Sequence, residues 1–96
     1  MAVEVRKEER VAVVTVSRPE ALNALNTETN GELLRVATEL SEDAGVHVVV
    51  LTGAGDKAFV AGADIAEMQA MTSEEARRFS MLGGRVCATI ERAPQP

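Results

Sequence analysis

Two short segments carry the residues whose types and spacing suit ligand binding through the backbone. The first motif, residues 17–26, reads SRPEALNALN, and the second motif, residues 57–68, reads KAFVAGADIAEM. Small residues around Gly62 let the backbone approach a ligand closely, and a helix that starts at Asp64 leaves unpaired amides near the turn. Backbone amides can bind an anionic group without any net positive charge. Taken alone, residues 61–64 are more often a tight turn followed by a helix cap.

The other residues with chemical potential indicate structure rather than a reaction centre. His47, the only histidine, lies between two valines, which is typical of a strand residue at the margin of a sheet. Cys87, the only cysteine, has no adjacent basic partner and is predicted to pack as a small apolar residue. One histidine and one cysteine predict no metal site. Glu67 is interpreted as part of a solvated helix face, and Arg18 as a solvated loop charge.

Hydrophobic periodicity predicts the elements that must position the first motif. Alternating residues over 3–7 and a Val-rich run over 11–16 predict a β-hairpin. Pro19 cannot donate to a sheet ladder, so residues 18–26 are predicted to form an exposed loop.

A crossover is predicted between the two motifs. Thr27 is expected to cap a helix whose apolar residues line one face until Gly45 ends it. Residues 46–51 are almost entirely apolar, which is typical of a strand covered on both faces in a parallel sheet. Strand, helix and strand in this order predict the α/β class. One hairpin and two helices barely cover such a strand, so part of the fold is expected outside these 96 residues.

Two helices are predicted in the second half of the chain. Asp64 is expected to cap a short helix that runs through Met71. Thr72 and Glu75 match the capping-box pattern of a second helix. A glycine pair at 83–84 interrupts its apolar stripe, which predicts close packing against a neighbour or a local break.

Composition and charge limit the size and the partners of the protein. Its 96 residues include only two aromatic side chains, which suits one small domain with a thin aliphatic core. A formal net charge of -5 argues against a nucleic-acid partner and against an anionic membrane surface. No apolar run reaches the roughly 20 residues that cross a bilayer. With a single cysteine, these features predict a soluble cytoplasmic protein.

Together, the two motifs resemble the amino-terminal portion of the crotonase superfamily, which includes the enoyl-CoA hydratases and isomerases. Their order, and the helix and Val-rich strand predicted between them, match that portion over essentially the whole chain. The resemblance implies a spiral of ββα units. Residues 1–96 would form the amino-terminal, acyl-CoA-binding part of a single crotonase-fold domain, with the remainder absent from this chain.

The resemblance also implies which residues contact the substrate. The N–H of Ala63 matches one of two backbone donors that form an oxyanion hole around the thioester oxygen. The residues that match CoA-binding positions are Ala21, Leu22 and Ala24 in the first motif, and Ala61, Ala63, Asp64 and Ile65 in the second. The family often has basic residues near positions 20 and 66, whereas this chain has Glu20 and Ala66. Attraction of the CoA phosphates is therefore left to Arg18, Lys57 or residues outside the chain.

The implied activity is that of a lyase of fatty acid metabolism, an enoyl-CoA hydratase. Two glutamates and a second donor, a glycine N–H, are expected beyond residue 96, so the chain alone is expected to be inactive. CoA enters as part of the substrate, and no prosthetic group is implied. The alternatives are an isomerase, hydrolase or decarboxylase of the same superfamily, or a CoA-binding or structural fragment without catalysis. The family's trimers and pairs of trimers predict a homo-oligomer, and a second chain is another source of the missing half.

Overall fold

The computed structural model describes residues 2–96, and Met1 lies outside the described residues. Within that range the chain forms three strands, three helices and one short 3-10 turn. In chain order they are β1 (Val3–Glu8), β2 (Val11–Val16), the 3-10 turn (Pro19–Ala21), α1 (Thr27–Ser41), β3 (Val48–Gly53), α2 (Ile65–Gln69) and α3 (Ser73–Arg92). The predicted α/β class is confirmed. None of the helices formed by residues 2–96 is both long and apolar enough to cross a bilayer.

The strands of residues 2–96 form one sheet in the order β1-β2-β3. β1 and β2 pair antiparallel, which confirms the predicted hairpin. β2 and β3 pair parallel, from Val11 opposite Val48 to Val16 opposite Gly53. Parallel pairing requires a crossover, and α1 supplies it by carrying the chain back along the sheet. The crossover places the first motif after β2 and the second motif after β3, at the same end of the sheet.

The core lies between the sheet and the helices. Successive side chains of a strand point to opposite faces, so every second residue of β2 faces the helices and is buried. The buried cluster consists of Val3, Ala12, Val14, Val16, Leu33, Val36, Leu40, Val46 and Val86. α1 contributes three of these residues at helical spacing and α3 contributes one. The helices therefore pack on one face of the sheet only.

The opposite face of β3 is open. Val48 and Val50 are 37% and 42% exposed, so the described residues cover this strand on one face. The strand begins at Val48, two residues later than the prediction over 46–51. Along its outer edge, the Val49 N–H donates a 3.0 Å hydrogen bond to Pro96 O. Cover on both faces by further elements stays a prediction.

The ends of α1 differ from the predicted ones. Its N-cap is Asn26 rather than Thr27, because the Asn26 side chain accepts a 2.9 Å hydrogen bond from a backbone N–H of the first turn. The helix ends at Ser41 rather than near Gly45. Beyond it, the Asp43 carboxylate accepts from the Gly45 N–H at 2.8 Å and closes a separate turn.

In the second half of the chain, the structure agrees with the predicted helix caps but not with the predicted break at the glycine pair of α3. α2 ends at Gln69 rather than Met71. The capping box of α3 is confirmed, since Thr72 Oγ1 accepts from the Glu75 N–H and the Glu75 carboxylate accepts from the Thr72 N–H. α3 continues without a break through the glycine pair at 83–84. The predicted break is therefore wrong. A Cβ at either glycine would meet no described atom within 4 Å, so close packing against a neighbour outside the described residues stays a prediction.

Candidate functional site

The fold brings the first and second motifs into direct contact through a short parallel pairing. Leu25 and Ala63 form an isolated β-bridge. The Leu25 N–H donates to Gly62 O at 2.8 Å, and the Asp64 N–H donates to Leu25 O at 2.9 Å. Two backbone hydrogen bonds therefore flank Ala63, one on each side, and fix the path of the chain through it.

The peptide that joins Gly62 to Ala63 has its orientation set by this bridge. A trans peptide points its C=O and its N–H in opposite directions, so the bond from Leu25 to Gly62 O turns the Ala63 N–H away from the first motif. Gly62 has a φ of 125°, a backbone conformation that residues with a side chain rarely adopt. Within residues 2–96 the Ala63 N–H donates no hydrogen bond, and Ala63 is exposed. The site thus presents a fixed donor without a partner among the described residues.

Arg18 belongs to the first motif, and its side chain lies where that motif meets the second. Its side chain is only 16% exposed, and its Nη1 donates to Ala24 O at 2.6 Å and to Asp64 Oδ2 at 3.1 Å. The interpretation of Arg18 as a solvated loop charge is therefore wrong. Of these two partners, Ala24 belongs to the same motif as Arg18, whereas Asp64 comes from the second motif and was not visible locally. Glu20, whose carboxylate lies 3.7 Å from Arg18 Nε, remains largely exposed.

Asp64 uses both carboxylate oxygens within the protein. Oδ1 accepts from the Glu67 N–H at 3.2 Å, which confirms Asp64 as the cap of α2, and Oδ2 accepts from Arg18. The hydrogen bond from the Glu67 N–H, followed by that from the Arg18 guanidinium, holds the pKa of Asp64 below its ordinary value. Asp64 is therefore an ionised, structurally engaged carboxylate at neutral pH.

Asn23 is the residue of the first motif that sequence reasoning missed. Its side chain is almost fully buried, and Oδ1 accepts from the Arg18 N–H at 2.8 Å. Nδ2 donates to Ala54 O and Ala58 O, each at 3.1 Å, which ties the loop to the segment after β3. Asn23 and Ala24 are buried, so the loop predicted to be exposed is exposed only in part. The one available signal was the residue type, because asparagine tolerates the left-handed conformation that Asn23 adopts.

A second side-chain bridge joins α2 to the start of α1. Glu67 Oε1 accepts from both the N–H and the Oγ1 of Thr27, each at 2.8 Å. The interpretation of Glu67 as a solvated charge is therefore wrong. Its carboxylate lies where the unpaired amides and the dipole of α1 favour negative charge.

The residues that match CoA-binding positions lie on or beside this junction and differ in exposure. Leu22 and Ile65 are 49% and 69% exposed, and Phe59 nearby in the sequence of the second motif is 57% exposed. Among the small residues, Ala61 and Ala63 are exposed, Ala21 is partly buried and Ala24 is buried. The Ala61 N–H donates to Leu22 O at 3.1 Å, which keeps the two motifs together beyond the bridge. Apolar surface is thus available at Leu22 and Ile65 but not at Ala24.

The remaining titratable residues that the structure describes form no second candidate site. Among residues 2–96, no group of three or more His, Cys, Asp or Glu side chains is arranged to hold a metal ion. Cys87 is exposed on α3, so the prediction that it packs in the core is wrong, because the stripe of α3 faces inward at its neighbour Val86 instead. His47 immediately precedes β3, where its N–H donates to Arg10 O at 2.8 Å, as expected for the margin of the sheet.

Comparison with known proteins points to one family. A family model described as enoyl-CoA hydratase/isomerase matches residues 6–92. The chain is 51% identical over 90 residues to the short-chain-enoyl-CoA hydratase of Clostridium acetobutylicum. It is 47% identical over 90 residues to the crotonyl-CoA hydratase of Syntrophomonas wolfei. Each match covers 94% of this chain but only 34% and 35% of those relatives.

The solved structures agree with the sequence relatives. The crystal structure of an enoyl-CoA hydratase from Bacillus anthracis matches this chain with a TM-score of 0.96 and 33% sequence identity. The match covers 100% of this chain and 38% of that one. The chain therefore spans about a third of the length of the curated relatives it matches.

Proposed function

Because the chain belongs to the enoyl-CoA hydratase/isomerase family and has the corresponding crotonase fold, we propose that it supplies the acyl-CoA-binding part of a hydratase. The reaction adds water across the double bond of a 2-enoyl-CoA thioester. Water gives up one proton to a base as its oxygen bonds to the β-carbon, negative charge moves onto the thioester oxygen, and the α-carbon then takes a proton. CoA enters as part of the substrate, so the proposal requires no prosthetic group.

The orientation of the Ala63 N–H is the single observation that carries this proposal. Its direction is fixed by the bond from Leu25 to Gly62 O, and it has no partner among residues 2–96. A preorganised amide of this kind binds the enolate-like oxyanion more strongly than the ground-state carbonyl, and one such donor is worth about 2.7 to 4 kcal/mol. The second donor and the catalytic glutamates are proposed to lie on residues outside this chain.

Contacts with CoA are proposed for the exposed parts of the two motifs. Leu22 and Ile65 offer apolar side chains to the adenine and its linker, since both are about half exposed or more. Arg18 is held by Asp64 and Ala24 O, which leaves the exposed Lys57 as the basic residue of the second motif that can attract the CoA phosphates. Asp64 and the small residues of both motifs contribute mainly through backbone position.

The same proposal covers the oligomeric state of the protein and its cellular location. The resemblance to crotonase-type enzymes supports a homo-oligomer, either a trimer or a pair of trimers. Cytoplasmic location is supported by the single cysteine, which suits a reducing compartment.

Two substitutions at Ala63, made in the protein at its full natural length, test the proposed function. Ala63→Gly keeps the donor and is expected to retain much of the hydration of crotonyl-CoA, which is followed by loss of enoyl-thioester absorbance. Ala63→Pro removes the donor and is expected to lower kcat on the order of 100-fold or more.

Controls separate this effect from other causes. Proline also restrains φ, so a melting curve must show that Ala63→Pro still folds. Identification of the product as a 3-hydroxyacyl-CoA separates a hydratase from an isomerase. A folded Ala63→Pro enzyme with near-normal kcat would exclude this amide as a catalytic donor.

A further inference from the structure

A continuous line of hydrogen bonds leads from a charged side chain to the proposed oxyanion donor. Arg18 Nη1 donates to Ala24 O at 2.6 Å. The N–H of the same peptide unit belongs to Leu25 and donates to Gly62 O at 2.8 Å. The N–H of that second peptide unit belongs to Ala63. One guanidinium and two peptide units are therefore connected in series, and the series ends at the Ala63 N–H.

The polarising effects of the successive hydrogen bonds add, because both peptide units are oriented in the same sense. Both peptides are trans, so each accepts at its C=O and donates in the opposite direction at its N–H. A hydrogen bond from a charged donor is stronger than one between neutral groups, and hydrogen bonds in a chain polarise one another. A positive charge on the first carbonyl oxygen therefore draws electron density away from both N–H groups and makes each a better donor.

We propose that Arg18 is a positioning residue that orients and polarises the Ala63 N–H through these two peptide units. This role rests on the proposed function, because the polarised donor matters only where negative charge develops beside it. Arg18 acts without touching the substrate, since its side chain is 16% exposed and lies where the first motif meets the second. The first carbonyl in the series is also the closer of its two Nη1 contacts.

Asp64 holds the guanidinium in place for this role. Its Oδ2 accepts from Arg18 Nη1 at 3.1 Å, and its Oδ1 accepts from the Glu67 N–H at the start of α2. One nitrogen of Arg18 thus serves both contacts. A lysine ammonium also carries a full charge and has three donors, so it can donate to both Ala24 O and Asp64 Oδ2. A methionine fills similar space but supplies neither the charge nor the donor.

The test compares Arg18→Met and Arg18→Lys with wild type in the protein at its full natural length. Arg35→Met is the matched control, because Arg35 lies exposed on α1 and, among the described residues, forms an ion pair with Glu39 alone. For crotonyl-CoA hydration, Arg18→Met is expected to lower kcat roughly tenfold, the scale of one charge-assisted hydrogen bond, with KM changed less than about twofold. Arg18→Lys is expected to restore most of kcat, and Arg35→Met to leave both constants unchanged.

A spectroscopic readout separates polarisation from scaffolding. Cinnamoyl-CoA, a conjugated thioester, absorbs at longer wavelength when its carbonyl oxygen is polarised. The shift on binding is expected to shrink in Arg18→Met and to recover in Arg18→Lys. Unchanged kcat and an unchanged shift in a folded Arg18→Met would overturn the proposal. So would equal losses in Arg18→Met and Arg18→Lys that follow a fall in melting temperature or a rise in KM.

Failure of the proposed function is distinguished by a measurement that needs no substrate. If wild type does not hydrate crotonyl-CoA, the proposed function fails, and amide NMR still decides the role of Arg18. The Leu25 and Ala63 amide protons are expected to move upfield in Arg18→Met and to return in Arg18→Lys. Unchanged amide shifts would overturn the proposal. If Arg18→Met does not fold, Arg18→Gln, which keeps a neutral donor, replaces it with the same expected direction.

Discussion

Addition of one methyl group at Gly53 probes how closely the end of β3 packs against the segment that leads into the site. A Cβ at Gly53 would lie 1.9 Å from Phe59 O and 2.7 Å from Ala58 O. Real Cβ atoms essentially never approach within 3.0 Å, so Phe59 O would have to retreat by at least 1.1 Å, from 1.9 to 3.0 Å. Both obstructing atoms belong to the backbone, and no side-chain rotation relieves the contact. Gly53→Ala is therefore expected to displace residues 58–59.

Two effects are expected to lower the free energy of unfolding of Gly53→Ala. Forcing extra volume into a packed site costs about 1 to 3 kcal/mol. Ala58 O also accepts from the buried Asn23 Nδ2 at 3.1 Å, and a buried donor left without its partner costs about 1 to 3 kcal/mol. Gly53→Ala is therefore expected to lower the free energy of unfolding by about 2 to 6 kcal/mol.

Urea titration of wild type, Gly53→Ala and Gly84→Ala measures this difference. Gly84 is the matched control, because a Cβ there meets no described atom within 4 Å and the residue lies inside α3. Gly84→Ala is expected to raise the free energy of unfolding by about 1 kcal/mol, through helix propensity alone. The same methyl group thus has opposite effects at the two positions. A Gly53→Ala variant within about 0.5 kcal/mol of wild type, the range of an ordinary surface substitution, would refute the steric reasoning.

Two further predictions concern acid stability and the isolated chain. Because the pKa of Asp64 is lowered by the Glu67 N–H and by Arg18, its ionised form contributes stability that is fully present above roughly pH 4 and is lost as pH falls through the lowered pKa. Asp64→Asn keeps a capping oxygen, so its urea midpoint is expected to fall less steeply than that of wild type in this acid range, and equal slopes would contradict the linkage. The 96-residue chain expressed alone is expected not to hydrate crotonyl-CoA, because it offers one candidate oxyanion donor and the catalytic glutamates are proposed to lie outside it. Its own carboxylates Asp64 and Glu67 bond to Arg18 and Thr27. Hydration by the purified chain, with any longer enzyme excluded by mass spectrometry, would show this expectation to be wrong.

Elements stabilised by nearby residues could be predicted from the sequence. Alternation identified the hairpin, and caps at Asp64 and Thr72 identified the starts of α2 and α3, because each cap accepts from a backbone N–H three residues later. The error at the start of α1 arose because two neighbouring polar residues competed. Asn26 and Thr27 are both suitable caps by type, and only the backbone conformation decides between them.

The bonds that organise the site could not be predicted in this way. Arg18 and Asp64 are 46 residues apart, and Asn23 is 31 and 35 residues from its two carbonyl partners. Arginine and asparagine in a loop are most often solvated, and nothing in the local sequence distinguishes a buried one. The resemblance to a family indicated where a ligand binds, but the bonds that hold the site together required the fold.

Together with two hydrogen bonds inside the first motif, those long-range bonds connect the end of the sheet to the proposed donor. Gly53 allows Ala58 to approach β3, Ala58 O is bound by Asn23, and Asn23 Oδ1 accepts from the backbone N–H of Arg18. Arg18 then bonds to the peptide unit that orients the Ala63 N–H. Because geometric errors well below 1 Å already impair a preorganised site, displacement of Ala58 should disturb the donor before it unfolds the protein. The kcat of folded Gly53→Ala is therefore a more sensitive measure of this connection than its free energy of unfolding.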